Sequence, residues 1–217
     1  MKKVKKSLIL SLILLFIPMM VIGCSSKPKV GGADETTKVL FDFYIKGDKE
    51  SLSKIKISKE QIEEVSKMQK DKTIAKIKAN FTSEGLKISD EKANQIYTAR
   101  VSALKKLSAK TEVASEDDKS AQVKLKATYI DEVALDKKAG MDAVEEVRKM
   151  NLTDRQEAIN KATDIYIKNL IKSYESVKPS SDMKEQTFKL TIKEKTWMPE
   201  NMRNFGESIV KLTSGIK

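Results

Sequence analysis

Across 217 residues the chain has a single cysteine and no histidine. That composition excludes Ser-His and Cys-His catalytic arrangements, imidazole zinc sites and any disulfide within the chain. The formal net charge is +11, from 42 Lys and Arg against 31 Asp and Glu. The lysines are spread among acids along helical segments, the pattern of solvated helix faces, and no nucleic-acid partner is expected. A weak attraction to a lipid surface or an anionic wall polymer is the alternative use of this charge. A metal would have to rest on carboxylates and carbonyls, which favours calcium or magnesium. No EF-hand-like loop is visible, and no metal or other cofactor is expected.

Met1 to Lys6 carries four lysines, Ser7 to Met20 is an almost unbroken apolar run, and Val21-Ile22-Gly23-Cys24 follows at once. A charged start, a short apolar middle and a small residue at the cut site make a secretory signal. The run is shorter than the ~20 residues needed to cross a bilayer, and Pro18 sits inside it, which argues against an uncleaved anchor helix. Val21-Ile22-Gly23-Cys24 resembles the lipobox of bacterial lipoproteins, with Val21 where leucine is common. The resemblance implies cleavage between Gly23 and Cys24 and a diacylglyceryl group on the Cys24 thiol. Two acyl chains make a stable anchor where one binds only reversibly. It therefore implies a chain anchored in membrane lipid on the extracytoplasmic face of the cell membrane. Four lysines leave with the signal, so the mature part would carry about +7. Residues 1–23 are thus the signal, 24–33 a Ser/Gly/Pro-containing tether, and 34–217 a single domain. Lysine, isoleucine and asparagine usage suggests a Gram-positive source.

Glu35 to Ile45 reads as an amphipathic helix with Val39, Leu40 and Phe43 on one face, ended by Gly47. A second short helix follows over Asp48 to Ile55. Ser58 and Gln61 form a capping box, with Ile57 and Ile62 placed as a hydrophobic staple. The apolar sets Ile62, Val65, Met68 and Ile74, Ile77, Phe81 fall on different faces, which predicts a break near Asp71-Lys72. Ser89 caps the next helix, whose stripe runs Ala93, Ile96, Tyr97, Val101, Leu104 and Leu107.

The period then changes. Glu112 to Ser115, a turn at 116–119, and Ala121 to Ile130 read as a β-hairpin with Val123, Leu125, Ala127 and Tyr129 alternating with polar residues. A helix resumes from about Leu135 to Met150, with a possible interruption at Gly140. Thr153 and Gln156 make a second capping box for a helix through Val177. Glu185 to Trp197 reads as a third strand, and Pro199 as the first turn of a last helix bearing Met202, Phe205, Ile209 and Leu212.

Helices, hairpin, helices, strand and helix without a βαβ rhythm give an α+β class: several amphipathic helices on one face of a small antiparallel sheet of about three strands. The segment from Lys38 to Asp48, a helix ending in Gly-Asp, is similar to the start of many small Gram-positive lipoprotein domains of unknown function. Several of those look like cystatin or nuclear transport factor two-like folds. That resemblance implies a curved sheet and supplies no functional residues. The long helical stretch between the second and third strands departs from the compact version.

Candidate chemistry is sparse. Asp117-Asp118 could offer paired carboxylates to a cation, but they sit where a hairpin needs turn residues. Asp131-Glu132 fits a helix start. Trp197, the only tryptophan, is the candidate ligand or partner contact, with closure of one end of the core as the alternative. Tyr97, Tyr129, Tyr166 and Tyr174 are expected in the core with hydroxyls at its rim. The sequons at Asn80 and Asn151 match a glycosylation pattern by coincidence. Together these features describe a noncatalytic, membrane-tethered binding or interaction module whose further partner is an envelope protein or a small apolar ligand. The alternative is a cell-envelope hydrolase, which needs two acids roughly 5–10 Å apart in a cleft. A transporter's solute-binding subunit would need two α/β lobes.

Overall fold

The computed structural model describes residues 31–55 and 57–215; the expected signal, most of the expected tether and Cys24 lie outside the described residues. In chain order the elements are α1 (Ala33–Lys46), a 3-10 helix (Glu50–Ile55), α2 (Lys59–Ser83), α3 (Asp90–Leu104), β1 (Ala109–Glu116) and β2 (Ser120–Ala127). They continue with α4 (Glu132–Lys149), α5 (Arg155–Ser176), β3 (Lys184–Lys193), β4 (Thr196–Pro199) and α6 (Met202–Ser214). The class is α+β, as the sequence indicates.

The four strands form one antiparallel meander in the order β1-β2-β3-β4. Strict alternation on β2 sends Ala121, Val123, Leu125 and Ala127 to the covered face, where β3 adds Phe188 and Leu190. Gln122, Lys124 and Lys126, with Glu185, Thr187 and Lys189 beside them, occupy the other face. α1 and α6 cover the apolar side. Phe205 of α6 meets Phe188 edge-on at 4.7 Å between ring centroids. Beyond this layer α3 packs on α1, α5 on α3, and α4 on α5, while α2 runs beside α3. α4 is thus the outermost layer of a helical stack built on the sheet.

Local signals explain most boundaries. Gly47, at φ 69°, closes α1 in the left-handed conformation that glycine adopts without a steric penalty. Ser58 and Gln61 form both halves of the capping box on α2. Ser89 accepts from the Lys92 amide at 3.2 Å to start α3. Gly215 (φ 74°) ends α6 against α4, where an added Cβ would lie 2.8 Å from the Asp131 Cα. That close approach, with the Ile130 amide donating to the Thr213 carbonyl at 2.9 Å, ties the end of α6 to the start of α4.

Five expectations are corrected. α2 runs unbroken through Asp71-Lys72, because its buried positions Ile62, Val65, Thr73, Ile77 and Phe81 belong to one slowly winding stripe. Each i+4 step advances that stripe by about 40° around the helix, and Gln69 fills its gap by donating to the Tyr44 carbonyl at 3.1 Å. The third strand is a hairpin, β3–β4, turning through Glu194 and Lys195 at φ 49° and 66°, so the sheet has four strands. α4 passes through Gly140 without interruption. The cap of α5 is Asp154, which accepts from the Glu157 amide at 2.7 Å, one residue beyond Thr153. Pro199 ends β4, and Asn201 caps α6 by accepting from the Asn204 amide at 3.0 Å.

Candidate functional site

The densest chemistry among the described residues lies between α3, α4 and α5. Ser89 sets the start of α3 and so places Arg100, 8 % exposed, three turns later. Asp131 caps α4 by accepting from the Ala134 amide at 2.9 Å, which turns Glu132, 6 % exposed, inward in the first helical turn. The guanidinium donates twice to this carboxylate, Nε to Oε2 at 2.7 Å and Nη2 to Oε1 at 2.9 Å. The Tyr174 hydroxyl of α5 donates a third bond to Oε2 at 2.9 Å. One turn along α4, buried Asp136 accepts from the Tyr166 hydroxyl.

The electrostatics follow from burial. Desolvation alone would lower the Arg100 guanidinium; the Glu132 carboxylate more than reverses this, so Arg100 holds its proton above its ordinary range. Burial, then the Glu132 charge, pushes the Tyr174 phenol well up. Burial, then the Asp136 charge, does the same for Tyr166. Arg100, Tyr166 and Tyr174 therefore stay protonated near neutrality. A bidentate, triply bonded carboxylate of this kind fixes the register of three helices. Three of its acceptor positions are spent on bonds that join the helices.

A groove of about 490 Å³ opens on one flank of the α4–α5 hairpin. Lys138, Asp142, Glu145, Glu146 and Lys149 line it from α4, and Asn169 and Lys172 from α5. Lys138 bonds Asp142 at 2.7 Å and Lys149 bonds Glu145 at 2.8 Å along α4, so cation and anion alternate at its wall. Among the described residues no group of three or more acids, histidines or cysteines could hold a metal ion. No described helix is long and apolar enough to cross a membrane.

The residues singled out in the sequence do not converge. Cys24 and Gly23 lie outside the described residues. Trp197 sits on β4 opposite Ile192 and is 4 % exposed, inside the core. Asp117 is a turn residue: it accepts from the amides of Lys119 (2.8 Å) and Ser120 (2.7 Å) and from the Ser120 hydroxyl. Those amide bonds hold its carboxyl below the usual range. Tyr129 carries Lys184 over its ring at 4.5 Å. For Tyr166 and Tyr174 the expected rim position is corrected, since both hydroxyls are buried against acids. Arg100 was legible only as one polar residue inside an apolar stripe, flanked by Ala99, Ala103 and Leu104.

No family model matches the chain, and no curated protein sequence does. Among solved structures, YcdA of Bacillus subtilis subsp. subtilis str. 168, described as a lipoprotein candidate, superposes with a TM-score of 0.59. The likeness covers 83% of this chain and 56% of that one, at 17% identity. The chain spans little more than half the length of that protein. The two share a fold.

Proposed function

We propose that this protein is a lipid-anchored lipoprotein of the extracytoplasmic membrane face, with a noncatalytic interaction module as its folded part. Val21-Ile22-Gly23-Cys24, directly after a charged and then apolar start, carries the anchor reading. The shared fold with a lipoprotein candidate supports it. In this reading residues 1–23 are removed, 24–33 tether, and 34–217 form the module. Helices laid on one face of an antiparallel sheet are in keeping with a cystatin- or nuclear transport factor two-like arrangement. The module reading is supported by the state of the acids. Glu132 and Asp136 are engaged by Arg100 and Tyr166, and Asp117 and Asp131 serve a turn and a cap.

The alternating charges of the α4–α5 groove suit the polar surface of an envelope protein better than a small apolar ligand, which would leave them desolvated. A photo-crosslinker at Lys172, in that groove, tests this on intact cells. A discrete protein adduct from position 172, absent from a crosslinker on the sheet's open face at Thr187, is the expected result. A small molecule released from the purified protein on denaturation in mass spectrometry would replace the protein partner with a ligand. Release of wall fragments by the purified protein would overturn the module reading.

A further inference from the structure

We infer that the outer face of α4 rests on the anionic lipid headgroups of the membrane that holds the chain; the inference builds on the lipid-anchor reading above. α4 turns its back to α5 and carries there Met141, 62 % exposed, and Val144, 48 % exposed. Lys137, Met141, Val144 and Arg148 stand at i, i+4, i+7 and i+11, within one narrow arc of the helix. Lys138 and Lys149 stand farther round the helix, in the groove, where each pairs with an acid. Of the acids of α4, exposed Glu145 stands beside this arc, one turn on from Met141. Asp142, Glu145 and Glu146 line the groove against α5, and Glu145 bonds Lys149 there.

Apolar side chains set between cations on an exposed helix face are the pattern of an interfacial helix, which buries the apolar groups at the headgroup boundary while the cations meet anionic lipid. Two apolar residues make a weak contact in free solution. The tether changes that. Cys24 lies nine residues before Ala33, the first residue of α1, a reach of roughly 30 Å at full extension. Docking is then intramolecular, at high effective concentration, and a weak face suffices.

The test uses the mature acylated chain bearing Met141→Cys, labelled with an environment-sensitive fluorophore. With Cys24 acylated, position 141 offers the only free thiol. On vesicles rich in phosphatidylglycerol the emission shifts to the blue and is quenched by a lipid-borne quencher. On phosphatidylcholine vesicles, in high salt, or with Lys137→Glu/Arg148→Glu added, both effects disappear. A label at Thr187→Cys, on the open sheet face, stays water-like throughout. Identical emission at position 141 on both kinds of vesicle and in buffer overturns the inference. A blue shift that grows with protein concentration without lipid also overturns it, in favour of a second copy of the chain. Intact mass of the same preparation separates the two claims: an acylated chain with an unresponsive label refutes docking alone. An unacylated chain refutes the anchor. Docking is then read in a Cys24→Ser chain held by an N-terminal histidine tag on nickel-chelating lipid in the same vesicles, where an unresponsive label overturns it as well.

Discussion

Removing the Glu132 carboxylate probes the joint between the three outer helices. In Glu132→Ala the Arg100 guanidinium keeps its buried position but loses both of its bonds to Glu132, and the Tyr174 hydroxyl loses its acceptor. Breaking a buried ion pair from one side costs about 3–5 kcal/mol, because the remaining charge stays desolvated. A domain of this size has a total stability of roughly 5–15 kcal/mol, so the variant sits near its unfolding threshold. The triple variant Arg100→Met/Glu132→Leu/Tyr174→Phe removes every polar member at similar volume and is expected within about 1 kcal/mol of the wild type or above it. Urea unfolding, followed by helical ellipticity and by the fluorescence of buried Trp197, measures both. A loss under about 1 kcal/mol in Glu132→Ala would mean that water or another group reaches Arg100, and would refute the closed-network reasoning.

Other consequences are equally measurable. Glu194 and Lys195 occupy left-handed backbone in the β3–β4 turn, so Glu194→Asn/Lys195→Gly should raise stability by about 1–2 kcal/mol in the same assay. Gly215→Ala should lower it by about 2 kcal/mol, because the residue is left-handed and its new Cβ meets the Asp131 backbone. Tyr44, Tyr166 and Tyr174 have phenols raised by burial. A raised folded value means stability is intact below the unfolded phenol pKa and falls above it, so unfolding should set in above about pH 10. Phenolate absorbance should rise in step with loss of helix. The Asp117 carboxyl is depressed, so its contribution is present above the ordinary range near pH 4 and lost as pH falls through the lower folded value. A carboxyl titration of Asp117 by NMR at or above that ordinary range would contradict the turn geometry.

Much of the fold is legible in the sequence because its signals are local. Ser58-Gln61, Ser89 and Gly47 each act within one helical turn, and the alternation from Ala121 to Ala127 fixes which face of β2 is buried. Signals that depend on tertiary context are not. The Glu194-Lys195 turn lacks the glycine or asparagine that marks such hairpins, so β3 and β4 read as one strand. The winding stripe of α2 reads as two faces until α3 is seen beside it. Arg100 and Glu132 lie 32 positions apart, and nothing between them announces the pair. Trp197 stands out by residue type alone, and the core explains its placement.

The central claim, a lipid-anchored chain, is tested most directly by the intact mass of the protein purified from membranes of a Gram-positive host, beside Cys24→Ala. The account predicts a chain that begins at Cys24 and carries a diacylglyceryl group, and a variant that lacks the added mass and leaves the membrane fraction. A wild-type chain with an unmodified Cys24, or one that still begins at Met1, would contradict it.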